Sequence, residues 1–134
     1  AKAVEYFTKS AEAGNKNSMN RLGDCYNYGR GVEQDYQQAI NWYQQAAEQN
    51  IEGAMNKLGE CYQYGYGVEQ DYQQAINWYQ KAAEKGNGWA QDMLGSFYEY
   101  GKGVDKDVNL ALSWYQKAAD NGNKHARTRL SRLA

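Results

Sequence analysis

At 134 residues and a net charge of −1, the chain carries no overall field that would draw it to nucleic acid or to an anionic membrane. Its apolar runs are a few residues long, far short of the roughly 20 that cross a bilayer, and no signal-peptide pattern opens it. With one histidine it cannot build a histidine cluster for zinc, and no cofactor or metal is expected.

One stretch organises the rest. LGDCYNYGRGV at 22–32 returns as LGECYQYGYGV at 58–68 and as LGSFYEYGKGV at 94–104, a step of 36 residues each time. A fixed period of that length marks a stacked repeat array, whose units bury their apolar faces on their neighbours. Residues 1–14 read as the second helix of an incomplete unit, because Tyr6-Phe7 aligns with Trp42-Tyr43, Trp78-Tyr79 and Trp114-Tyr115. The chain therefore opens inside a repeat, which leaves room for a leader or further repeats upstream. Three full units follow at 15–50, 51–86 and 87–122, and a terminal helix occupies 123–134.

Within the first full unit, a helix A is expected from about Asn17 to Tyr28. Met19, Leu22, Cys25 and Tyr26 fall on one face at spacings of three and four. Gly23 lies beside them and recurs as Gly59 and Gly95. A glycine there costs helix stability, so its recurrence predicts close packing of another helix. Gly29 closes helix A. Asp35, with Gln38 three residues on, reads as a capping box for a helix B over about 36–49, and Asp71 with Gln74 repeats it. Asp107 keeps the cap while Leu110 replaces the glutamine. Helix B returns at about 72–85 and 108–121, with Ala39, Ile40, Tyr43, Ala46 and Ala47 as the first apolar stripe. Gly14, Asn50, Gly86 and Gly122 mark helix stops by accepting the left-handed conformation. The final A helix, about 124–133, carries Leu130 in register with Leu22. No segment alternates with the period of a strand, and helix pairs throughout are the reading.

Few residues offer chemistry. The Gly29-Arg30-Gly31 pair lacks the third glycine of a dinucleotide loop, since Gln34 stands there and a helix precedes it. His125 is the sole candidate for a catalytic triad and sits near the end of the chain. Cys25 and Cys61 share one repeat position with Phe97, which reads as a core site. The repeating aromatics Tyr26, Tyr62 and Tyr98, Tyr43, Tyr79 and Tyr115, and Trp42, Trp78 and Trp114 also read as core. Without a basic stripe they are no platform for nucleic acid. The chain is expected not to be an enzyme.

What varies between copies is the face of helix A opposite the Leu–Tyr stripe. Its candidate partner-binding residues are Asn20, Asp24 and Asn27, then Asn56, Glu60 and Gln63, then Asp92, Ser96 and Glu99. Tyr28, Tyr64 and Tyr100 flank this face and would supply aromatic contacts. Trp89, whose counterparts are Asn17 and Gly53, is a further anchor. Arg30, Tyr66 and Lys102 form a second candidate rim at the loop tips. Asp24, Glu60, Asp92 and Glu99 are all acidic, which suggests a partner with a basic segment.

The signature Ala54, Leu58-Gly59, Tyr62, Gly65, Gly67-Val68, Asp71, Ala75, Trp78-Tyr79, Lys81-Ala82-Ala83 and Gly86 resembles the Sel1-like repeat, a relative of the tetratricopeptide repeat. The likeness covers nearly the whole chain and recurs in register. It implies an all-α, right-handed α-solenoid of antiparallel helix pairs, with the A helices lining a concave groove. It also implies an adaptor that binds a partner peptide or protein surface in that groove. Cysteine-rich members of the family are associated with β-lactam binding, but here Ala46-Ala47, Ala82-Ala83 and Ala118-Ala119 replace their stapling cysteines. Two alternatives stand beside the adaptor: a structural spacer in a longer repeat protein, and a hydrolase such as a β-lactamase. Self-association through uncapped ends is a further expectation, and the compartment is left open.

Overall fold

The computed structural model describes residues 2–133. Among them there is no strand; eight helices follow one another as α1 (Lys2–Glu12), α2 (Lys16–Tyr28), α3 (Tyr36–Glu48), α4 (Glu52–Tyr64), α5 (Tyr72–Glu84), α6 (Gly88–Tyr100), α7 (Val108–Asp120) and α8 (Lys124–Leu133). They fall into two compact units, residues 1–70 and 71–134. The A helices are α2, α4, α6 and α8, and the B helices are α1, α3, α5 and α7.

Sequence-local chemistry places the ends of these helices. α2, α4 and α6 stop on Gly29, Gly65 and Gly101, each left-handed, with the glycine N–H bonded to the carbonyl of Cys25, Cys61 and Phe97. Gly14, Asn50, Gly86 and Gly122 likewise take positive φ. The Asp35 carboxylate accepts from the N–H groups of Gln37 and Gln38 and starts α3. The reciprocal half of the expected capping box is not made, because the Asp35 N–H donates instead to the Tyr26 carbonyl at 2.9 Å. Asp107 repeats this with Tyr98. Each of these two aspartates thus ties helix B back to its own helix A, and the reciprocal glutamine is dispensable, as Leu110 in the third copy shows. The neighbouring Gln37 side chain reaches forward instead and donates to the carbonyl of Gly67 at 2.5 Å; Gln73 does the same to Gly103.

The first unit packs Met19, Leu22 and Cys25 of α2 and Ala39, Ile40, Tyr43, Ala46 and Ala47 of α3. Ala54, Met55, Leu58 and Cys61 of α4 complete that core. In the second unit Ala90, Leu94 and Phe97 of α6 and Ala111, Tyr115, Ala118 and Ala119 of α7 do the same, with Ala126 of α8 closing the end. Gly23 is a point of close approach: a Cβ there would sit 2.7 Å from the ring of the fully buried Tyr43. The helix gives up propensity so that a tyrosine ring can lie flat against its backbone.

Candidate interaction surface

In the first unit, α2 and α4 present Asn20, Asp24, Asn27 and Tyr28, and Asn56, Glu60, Gln63 and Tyr64. These residues do not behave alike. Asn27 and Gln63 are buried, and their carbonyls accept from the side chains of Gln34 and Gln70, each at 2.7 Å. They brace the turn after the helix and offer little to a partner. Asn20 and Asn56 are half-buried. Asp24, also half-buried, accepts a hydrogen bond from the Tyr43 hydroxyl at 2.5 Å. Burial and then this bond raise the Tyr43 phenol far above its ordinary range. Glu60 pairs with Lys57 at 3.6 Å one turn earlier on α4.

Tyr28 and Tyr64 are the open members of the set, 47% and 56% exposed. Lys57 donates to the Tyr28 hydroxyl and lies 5.1 Å from the ring centroid, while Arg30 lies 4.8 Å from the same centroid. Arg30 and Tyr66, the rim residues of this unit, therefore belong to an aromatic and cationic cluster. Tyr66 stacks on Tyr36 at 5.2 Å and meets Tyr64 at 5.6 Å. A pocket of about 270 Å³ opens among Tyr28, Tyr36, Tyr66, Lys57 and Glu60, over the buried Cys61. Burial pushes the Cys61 thiol up to about 11. Cys25 and Cys61 are both free and buried.

The second unit departs from the expectation. Asp92 and Glu99, read from the sequence as groove-facing acids, are 1% and 5% exposed and cannot meet a partner directly. Asp92 takes the Arg129 guanidinium at 3.0 Å, and Glu99 takes Arg132 at 2.9 Å and the Tyr115 hydroxyl at 2.6 Å. Burial alone would raise the Glu99 carboxyl, but the hydrogen bonds from Tyr115 and Arg132 outweigh it and hold it below the ordinary carboxylate value. Sequence reasoning missed both arginines. The available signal was a double change in register: Asp92 stands where earlier copies have Asn20 and Asn56, Glu99 where they have Asn27 and Gln63. Buried acids at positions that otherwise carry amides call for cations nearby, and α8 supplies them.

All four acids expected on the open face are thus engaged within the chain. Asp92 and Glu99 are withdrawn from the face by burial, while Asp24 and Glu60 stay half-buried on it. Ser96 is half-buried, Trp89 is 41% exposed and Tyr100 is 55% exposed; Lys102 is exposed at its loop tip. Among the described residues no group of His, Cys, Asp and Glu could hold a metal ion, and no helix is long and apolar enough to cross a membrane.

Short A and B helices closed by left-handed residues, with Tyr43 and Tyr115 each buried against a glycine of an A helix, define a helix-pair repeat protein. The particular family follows from the sequence: the model of the Sel1 repeat matches residues 1–15, 16–51, 53–87 and 90–123, and the chain belongs to that family. It is similar to a Sel1 repeat protein from Oxalobacter formigenes, with 40% identity over 96% of this chain and 53% of that one, at a TM-score of 0.92. It is also similar to c5321, a protective antigen present in uropathogenic Escherichia coli strains that displays an SLR fold. There the identity is 35% over 97% of this chain and 28% of that one, at a TM-score of 0.95. Cysteine-rich protein B of Helicobacter pylori shares 27% identity over 96% of this chain and 92% of that one, at a TM-score of 0.75. Among curated proteins none matches. The chain spans about half the length of the Oxalobacter protein and less of c5321. Sel1 repeat proteins are in general protein-interaction modules.

Proposed function

We propose that this chain is a non-catalytic adaptor that binds a peptide or protein surface on the face of its A helices, the face that the family resemblance expects to be concave. One observation carries the reading. Tyr28, Tyr64 and Tyr100, the last residues of three A helices, are each about half exposed, whereas the repeating tyrosines Tyr43, Tyr79 and Tyr115 are fully buried. A large aromatic left open at the same place in every copy is surface that packing does not consume. Tyrosine is also suited to contacts with partners, offering a broad ring and a hydroxyl at low cost in side-chain entropy.

The test is capture from the native cell's lysate, read by mass spectrometry. The wild-type chain is set beside a variant with Tyr28→Ser, Tyr64→Ser and Tyr100→Ser, once circular dichroism has shown both to be folded. A protein held by the first and released by the second supports the adaptor. Equal retention by both moves binding off this face, and no retention by either leaves a structural spacer as the better reading.

A further inference from the structure

The pocket of about 270 Å³ in the first unit is walled by Tyr28, Tyr36 and Tyr66, with Lys57 and Glu60 of α4 beside them. All of these residues belong to the first two complete copies of the repeat. Its rings are already engaged with one another or with cations: Tyr66 stacks on Tyr36, and Arg30 and Lys57 lie over Tyr28. What it offers an incoming group is therefore its hydrogen-bond donors. The Tyr28 hydroxyl accepts from Lys57, and the Tyr36 hydroxyl accepts from Gln34 at 3.3 Å, so each phenol keeps its own proton to donate. Among the described residues Arg30 forms no ion pair. The Lys57 ammonium comes no nearer than 3.6 Å to Glu60, beyond ordinary hydrogen-bond distance.

The second unit shows what such a set of donors takes. There Glu99 accepts from the Tyr115 hydroxyl at 2.6 Å and from Arg132 at 2.9 Å, so that one carboxylate satisfies a phenol and a cation together. The pocket of the first unit has the phenols and the cations, and among the described residues no carboxylate at hydrogen-bond distance from them. We infer that this pocket receives the carboxylate of a glutamate or aspartate side chain carried by a partner polypeptide. A group that only accepts, and whose charge is opposite to that of Arg30 and Lys57, is what this set of donors lacks. The inference rests on the protein-binding reading above and gives the chemistry of the partner at one point of its contact.

The probe is a peptide of glycine and serine around two glutamates, blocked at both ends, titrated into the isotope-labelled chain and followed by amide NMR shifts. Expected shifts centre on Tyr28, Lys57, Glu60 and Tyr66, and they vanish when glutamines replace the glutamates. Lys57→Met, at a position where the next copy has Met93, weakens binding about ten-fold. Glu60→Gln, which removes the carboxylate competing for Lys57, strengthens it about three-fold. Equal shifts from the glutamine peptide would overturn the carboxylate. A glutamine peptide with a free C-terminus that matched the glutamate peptide would make a chain end the occupant and overturn the side chain. Tighter binding of a lysine peptide, weakened by Glu60→Gln, would overturn the sign of the partner and leave the adaptor reading standing. No shifts at millimolar glutamate peptide would overturn the pocket alone, since the tyrosine-face variant tests the adaptor separately.

Discussion

The A helices of the two units share one register and differ in charge at two of its positions. On α2 and α4, register positions 20, 27, 56 and 63 hold amides; on α6 the same positions hold Asp92 and Glu99, buried beneath Arg129 and Arg132 of α8. The buried tyrosine of helix B adjusts to the change. Tyr43 donates to Asp24, but Ser96 occupies the matching place in the third copy, and Tyr115 donates instead to Glu99, one turn further along. A carboxylate is kept for the tyrosine hydroxyl while its address moves by three residues. The comparison teaches that variation on the A face is not all free surface: in the second unit it fastens the last helix.

The largest expected effect breaks that fastening. Arg129→Met leaves the Asp92 carboxylate buried without its cation and should cost about 3 kcal/mol, with α8 the first helix to lose protection in hydrogen exchange. Adding Asp92→Asn makes the second unit resemble the first, where Asn56 holds that position, and should recover all but about 1 kcal/mol. Failure of the double variant to recover would mean that Arg129 acts through its packing on Tyr115, whose ring centroid lies 5.6 Å away. The glycine contacts rank next. A Cβ on Gly95 would meet the Tyr115 ring at 2.4 Å, against 2.7 Å between Gly23 and Tyr43. Overpacking should exceed the gain in helix propensity, so Gly95→Ala should cost about 2 kcal/mol and Gly23→Ala about 1 kcal/mol in urea denaturation. A stabilising Gly95→Ala would show that the ring has room to withdraw.

Much of this frame was legible in the sequence. Helix order, the left-handed stops at Gly14, Asn50, Gly86 and Gly122 and the buried Cys25, Cys61 and Phe97 all follow from local rules acting in every copy. Repetition makes each such signal visible three times. The site was less legible because its logic is not repeated. Asp92 and Glu99 read as surface acids on a helical wheel, and their burial depends on arginines 37 and 33 residues later. Asn27 and Gln63 were assigned to the open face by the same wheel, although the turn that follows each helix folds back and covers it. The capping box failed for a related reason: the Asp35 N–H found the Tyr26 carbonyl, a partner nine residues back in sequence but adjacent in the fold.

Removing single hydroxyls sharpens the comparison on a smaller scale. Tyr43→Phe deprives Asp24 of its hydrogen-bond donor, and among the described residues Asp24 has no ion pair to fall back on. The cost should be about 2 kcal/mol. Tyr115→Phe leaves Glu99 with Arg132 and should cost about 1 kcal/mol. Equal costs in thermal melts would argue that Arg132 contributes little. Both phenols are raised above their ordinary value in the folded chain, first by burial. The folded state therefore holds these protons longer than the unfolded one, and stability should be lost as pH climbs past the ordinary phenol value near 10. Each phenylalanine variant should soften that alkaline decline.

The smallest effect lies at the acid end and concerns the second unit alone. Glu99 is held below the ordinary carboxylate value in the folded chain, so on lowering the pH the unfolded chain takes up its proton first. The stability linked to Glu99 is fully present above the ordinary value near 4.5, and it declines as pH falls through the lower folded value. Glu99→Gln keeps an acceptor for Tyr115 and removes the titration. Its melting temperature should start lower at pH 7, because Arg132 has lost its partner charge, and should then fall less steeply between pH 5 and 3 than that of the wild type. Parallel slopes would mean that the guanidinium of Arg132, about half exposed to water, is too well solvated to favour the charged carboxylate, leaving Asp92 and Arg129 as the pair that fastens α8.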